Sequence, residues 1–146
     1  MSEELAVIDD GRCFACGPDN PVGLHMRFER DGADGARADV VLGDQFQGWR
    51  GVAHGGIVMA LLDEVMAHAA GFLGYRGVTA GLNARFKKPV PLGEPLTVRA
   101  RVLWVRRGVL SIEAELQGPG GVLLASGEGK FVVRGTVEPG RLGAQR

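Results

Sequence analysis

The spacing of apolar residues changes period twice along this chain. Between residues 57 and 70 there is neither Gly nor Pro, and Leu61, Leu62, Val65, Met66 and Ala69 recur at helical spacing. Ala, Leu and Met dominate the stretch, and all favour helix. A helix is therefore predicted from the Gly55-Gly56 pair to a glycine-rich stop at residues 71–74. Residues 57–62 are apolar on every side, so the helix is expected to be enclosed rather than laid on a surface. Before it, Leu24, Met26 and Phe28 alternate with His25, Arg27 and Glu29, which predicts a half-buried strand with His25 on its polar face. Residues 31–35 read as a hairpin-like turn and residues 36–42 as the returning strand. Residues 43–53 connect to the helix. After the helix every pattern has period two: residues 78–87, 96–105, 110–116 and 122–134, separated by turns at Pro89, Pro91 and Gly93, at Arg106, Arg107 and Gly108, and at residues 118–121. Gly127 and Gly129 are expected to mark a bulge or bend in the last strand. One helix and an antiparallel run of five to six strands make an α+β chain, most economically a curved sheet wrapped around the helix.

Length and charge narrow the reading. The 146 residues suit a single compact domain, with residues 1–12 and 135–146 expected to be loose ends. Lys+Arg and Asp+Glu are each 17, so no global charge favours nucleic acid, and any anion site must be local. No apolar run is expected to span a bilayer, and the acidic start carries no signal-peptide pattern. Two cysteines without a secretory signal are expected to be reduced thiols in a cytoplasm.

The helix carries the candidate chemistry. Gly55 and Gly56 would let a ligand approach the backbone at its start, where amides lack internal partners and the dipole adds partial positive charge. That is a place for an oxyanion. Asp63 stands 63 − 56 = 7 residues further on, on the face of Gly56 but about 10 Å along the axis. One chain cannot easily bring both to one reacting carbon, whereas two antiparallel helices could, which predicts a dimer with composite sites. Asp63 has uncharged helical neighbours in Met59, Met66 and Ala67, so a raised pKa is expected. Glu64 and His68, four apart, are expected to pair as a structural or interfacial contact. Cys13-x-x-Cys16 could hold zinc, but only His25 offers a nearby third ligand, and buried structural thiols in an N-terminal clasp are the expectation.

Read together, His54-Gly55-Gly56, the helical Asp63, and Asn83-Ala84-Arg85-Phe86-Lys87-Lys88-Pro89-Val90 before Gly93 resemble the hotdog-fold acyl-CoA thioesterases, close to the PaaI-like and 4-hydroxybenzoyl-CoA thioesterase-like branches. The opening Cys13-Phe14-Ala15-Cys16-Gly17 through Leu24 also resembles a subset of that superfamily. The resemblance covers roughly residues 13–133. It implies a hotdog fold, a homodimer or dimer of dimers, and hydrolysis of an acyl-CoA thioester to acid and free coenzyme A with no metal or separate cofactor. Carried over, the oxyanion amide falls on Gly56, the catalytic carboxylate on Asp63 as base or nucleophile, and the preceding histidine on His54. Gly55 and Gln47 would adjoin the substrate, and Asn83, Arg85, Lys87 and Lys88 would meet the phosphates of coenzyme A. Where some relatives carry Ser or Thr one turn after the carboxylate, this chain has Ala67, leaving Gln47 as the candidate to hold water. An acyl pocket is expected from some combination of Phe46, Trp49, Met59, Leu62, Met66 and Phe72. Competing readings are an acyl-CoA-binding module without turnover and a hotdog dehydratase or hydratase.

Overall fold

The computed structural model describes residues 7–138. A short strand β1 (Glu29–Asp31) turns into β2 (Gly35–Val41), and a loop containing a 3-10 turn (Asp44–Phe46) leads to the single long helix α1 (Gly55–Phe72). Four strands follow: β3 (Tyr75–Phe86), β4 (Pro95–Arg106), β5 (Val109–Gln117) and β6 (Leu123–Thr136). They form one six-stranded sheet in the order β1-β2-β4-β5-β6-β3, and each neighbouring pair is antiparallel. The β4–β5 connection is a two-residue hairpin in which Arg107 and Gly108 both take positive φ, 49° and 74°, as the tightest hairpins of right-twisted strands require.

The core lies between α1 and one face of the sheet. Leu96, Val98, Leu110, Ile112, Leu116 and Phe131 meet Val58, Leu61, Leu62, Val65, Met66 and Ala69 there. Gly127 and Gly129 face side chains of the helix. A Cβ on Gly129 would stand 2.8 Å from Met66 Sδ, and one on Gly127 would stand 3.5 Å from Leu62 Cδ1. These glycines do not mark the expected bulge. The register shifts lie elsewhere, at residues 75–77 and 79–81 of β3, between Val102 and Trp104 of β4, and between Leu116 and Gln117 of β5.

Four further expectations change. Residues 24–28 are not a ladder strand: His25 takes φ 51°, and the Leu24 and Met26 amides donate to the Phe14 and Ala15 carbonyls in the cysteine loop. Pairing with β2 therefore begins only at Glu29, although Met26 and Phe28 are buried as expected and His25 is exposed. Within one chain α1 is not enclosed, because Met59, Ala60, Asp63 and Ala67 are only half-buried. By length and composition alone α1 could also cross a membrane, contrary to expectation, but its apolar side packs on the sheet as a core helix does. The expected loose ends fall partly on residues 1–6 and 139–146, outside the described residues, while residues 135 and 136 belong to β6.

Candidate active site

The start of α1 is shaped by its cap. His54 is the N-cap residue, with φ −59° and ψ 137°, and its ring Nδ1 accepts the Gly56 amide at 2.9 Å. The Ile57 and Val58 amides both donate to the His54 carbonyl. Among the described residues, the Gly55 amide is the first-turn donor that no acceptor engages. The space beside it is open, since a Cβ there would meet nothing within 4 Å. The amide assigned by the resemblance, that of Gly56, is thus occupied by His54 in this conformation.

The loop before the cap brings Gln47 to the same end of the helix. The His54 amide donates to the Phe46 carbonyl at 2.9 Å, and Gln47 bridges to Ala53. Gln47 Oε1 is itself used, accepting the Gly51 amide at 3.0 Å. Of the residues expected to line an acyl pocket, Leu62 and Met66 are fully buried in the core, and Phe72 lies under the Arg30 guanidinium at the far end of the helix. Trp49 is 86% exposed. Half-buried Phe46 and Met59 remain beside the helix start.

Asp63 lies two turns along α1, half-buried, and Thr79 Oγ1 of β3 donates to its Oδ1 at 2.5 Å. Burial raises the pKa of Asp63 above the ordinary 3.8; the Thr79 hydrogen bond pulls the other way, and the neighbouring Glu64 charge adds to the rise. Thr79 thus places a hydroxyl on Asp63, where Ala67, one turn further along α1, has none. The sequence offered a weak signal for it, a Thr on the polar phase of an otherwise apolar strand, but only the packing of β3 against α1 assigns it to Asp63.

Asn83 and Arg85 are not brought to this carboxylate. Leu82 and Ala84 pack against the core, so their neighbours Asn83 and Arg85 point to the opposite face of the sheet. There they line a trough of about 740 Å³ with Arg99, Arg101, Glu113 and Glu128 among others. Arg101 pairs with Glu113 at 3.4 Å and Arg99 with Asp31 at 3.7 Å. Lys87 and Lys88 follow β3, both exposed, their amides held by the Leu124 carbonyl.

The expected Glu64–His68 pair is present at 3.1 Å, with His68 buried and stacked on Phe28. Burial opposes ionisation of Glu64, but the His68 hydrogen bond and charge, helped by the cysteines, hold its pKa below the usual value. Cys13 is pulled down to about 7, chiefly by its hydrogen bond with Cys16, and Cys16 is pushed up.

Comparison with known proteins agrees with this architecture. No curated protein matches the chain. A crystallised thioesterase superfamily protein is 30% identical, with a TM-score of 0.79 over 90% of this chain and 68% of its own. The Escherichia coli PaaI protein of the phenylacetic acid degradation operon is 22% identical, with a TM-score of 0.73 over 79% of this chain and 84% of its own. A hypothetical thioesterase of Streptococcus pneumoniae, crystallised with coenzyme A, is 18% identical, with a TM-score of 0.73 over 77% of this chain and 91% of its own. That protein has also been crystallised with an aspartate and a threonine separately replaced by alanine, 68 − 52 = 16 positions apart. The sequence profile of the thioesterase superfamily matches residues 50–125, more than half of the chain and all of α1. With the helix, the sheet order and this match in agreement, the chain belongs to the thioesterase superfamily.

Proposed function

We propose that this protein hydrolyses an acyl-CoA thioester to a carboxylic acid and free coenzyme A at a site shared by two subunits. One observation carries the reading: a half-buried carboxylate with a raised pKa, held by the Thr79 hydroxyl, stands two turns from a helix start that keeps a free amide. A carboxylate poised this way can take a proton from water or attack a carbonyl itself. An amide at a helix start can meet the negative charge that develops on the thioester oxygen, worth roughly 2.7–4 kcal/mol for such donors. The Gly55 amide is the donor already available; Gly56 can join once the exposed His54 ring turns away. The 16-residue spacing of the two replaced positions in the streptococcal protein equals the 79 − 63 = 16 between Thr79 and Asp63, which supports their pairing here.

The shared site follows from distance. Gly55 and Asp63 are eight residues apart on one helix, about 12 Å along its axis, too far for both to reach one carbonyl carbon. The Gly55 amide of one chain and Asp63 of the partner subunit would meet if two helices run antiparallel. Two features favour such a pairing. The strand β3 is a twelve-residue edge with Val78 and Phe86 exposed, and an edge of that length invites another strand. Beside it runs the half-buried stripe of Met59, Ala60, Asp63 and Ala67. Lys87 and Lys88, exposed just past the end of the strand that carries Thr79, then serve as phosphate donors away from the reacting carbon, as the length of coenzyme A demands, whereas Asn83 and Arg85 lie on the opposite face of the sheet from Asp63.

The test is a panel of aryl and medium-chain acyl-CoAs with the released thiol trapped by a chromogenic reagent. Turnover by the wild type and its loss in Asp63→Asn, with binding of the ester retained, is the expected result. Saturable binding without turnover in the wild type would make this a binding module instead. Addition of water to an enoyl-CoA would make it a hydratase.

A further inference from the structure

Glu64 follows Asp63 in the chain but projects about 100° further round the helix, away from the proposed hydrolytic site. There the N-terminal loop delivers two thiols to it. Cys13 Sγ lies 3.6 Å from Glu64 Oε1, and the donor atoms of Cys13, Cys16 and Glu64 all fall within 4.8 Å of one another. The loop is built to hold that arrangement. The Gly17 amide closes the turn on the Cys13 carbonyl at 2.8 Å, and the Cys16 amide points at Cys13 Sγ at 3.5 Å. Residue 17 must be glycine, because a Cβ would stand 2.3 Å from the Cys13 nitrogen and 2.5 Å from the Gly11 carbonyl oxygen. On the helix side, buried His68 holds Glu64 Oε1 at 3.1 Å while its ring stacks on Phe28. A cavity of about 330 Å³ opens onto Cys13, Cys16 and Glu64 and supplies a route in from solvent.

The geometry points to a zinc site formed by Cys13, Cys16 and Glu64, with His68 orienting the carboxylate and the fourth position facing the cavity. Two thiolates and a carboxylate with an imidazole behind them are a donor set suited to zinc, and the imidazole supplies the outer-shell support such sites use. In a tetrahedral zinc site with about 2.3 Å to sulfur and about 2.1 Å to oxygen, a sulfur and an oxygen ligand stand about 3.6 Å apart. The Cys13–Glu64 separation already has that value, so the site needs only a small closing of the second thiol. The thiols lose their protons to solvent as the metal enters, with no change of oxidation state. Bound there, the ion would pin residues 13–17 to the middle of α1, one residue from Asp63. This inference stands apart from the hydrolase reading, since its readout is metal and not turnover.

The experiment is a Co2+ titration of the reduced, metal-stripped full-length protein, followed by Zn2+. Thiolate-to-cobalt absorption in the near ultraviolet and tetrahedral bands in the visible should saturate at one ion per chain and vanish when Zn2+ displaces the cobalt, in line with the usual affinity order. Cys13→Ser and Glu64→Gln should each weaken or abolish the bands, and Asp10→Asn should leave them unchanged. Zinc content of the protein as purified, at one per chain and lost with Cys13→Ser, would agree. If Cys16→Ser does not fold, the half-exposed Cys13 variant and the wild-type titration still decide the matter. Absence of cobalt bands in the folded, reduced wild type, with both thiols equally reactive toward a thiol reagent whether or not Zn2+ is added, would overturn the proposal. So would a Cys13–Cys16 disulfide that persists in the purified protein and takes up metal neither before nor after reduction.

Discussion

Asp63 is held where its charge is disfavoured, and that has two consequences at the scale of single residues. Its folded pKa is raised above 3.8 by burial, so the ionised form is penalised in the folded state. That penalty is absent below the unfolded value, grows between the unfolded and the folded value, and is complete above the folded value. Asp63→Asn should therefore remove thioester hydrolysis yet raise Tm at pH 7, while leaving Tm unchanged at a pH below 3.8; thermal melts at the two pH values check the sign. Thr79 acts on the same carboxylate in the opposite sense, since its hydrogen bond lowers the pKa. Thr79→Ala should move the acid limb of the kcat/KM profile to higher pH and lower kcat, whereas Thr79→Ser should restore both. At the helix start, Gly55 is the first helical position, where proline is tolerated, and His54 already has the extended backbone that a following proline requires. Gly55→Pro deletes one amide without breaking the helix and should cost about 100- to 1000-fold in kcat if that amide meets the oxyanion. A Gly56→Pro variant with the larger loss would shift the role to Gly56.

At the scale of elements, the contact of α1 with β6 depends on missing side chains. Met66 is fully buried and lies over Gly129. Gly129→Ala would drive a Cβ to 2.8 Å from Met66 Sδ and 3.1 Å from Phe131 Cε1. Overpacking of this kind costs about 1–3 kcal/mol, measurable as a lower midpoint in urea. A substitution of Met66 by Leu in the same background should recover part of the loss by vacating the sulfur position. Glycine in a strand reads from sequence as a bulge or a close approach, and the alternation of apolar residues cannot choose between them. The register of β6 against β5 and β3, regular through residues 127 and 129, decides for close approach.

At the scale of the whole molecule, the long exposed edge β3 and the half-buried stripe on α1 make one side that the described residues leave largely without cover. The proposed dimer covers that side and completes the site, so assembly and activity should fall together. Ala80 is exposed on β3 at the register shift. Ala80→Lys places a charge on that edge, which is one way natural sheets block strand addition. The expected result by light scattering is a shift from dimer toward monomer with a parallel loss of turnover and unchanged circular dichroism. A wild-type chain that is monomeric and fully active would remove the shared site.

Much of this was legible in the sequence because it depends on local period. The helix from the glycine pair to residue 72, the long strands after it and the tight Arg107-Gly108 turn follow from side-chain spacing and backbone preference, which neighbouring residues set. So does the Glu64–His68 pair, since residues four apart meet on any helix. The strand order and the partners of the polar groups depend on which distant segments pack together. Thr79 reaches Asp63 only because β3 runs beside α1 at the sheet edge, Asn83 and Arg85 face away because Leu82 and Ala84 take the core, and Cys13 and Cys16 meet Glu64 because residues 13–17 fold across the helix. The sequence alone determined the elements and the residue types available for chemistry. The tertiary structure decided which of those residues touch, because contacts between segments far apart in the chain leave no periodic trace along it.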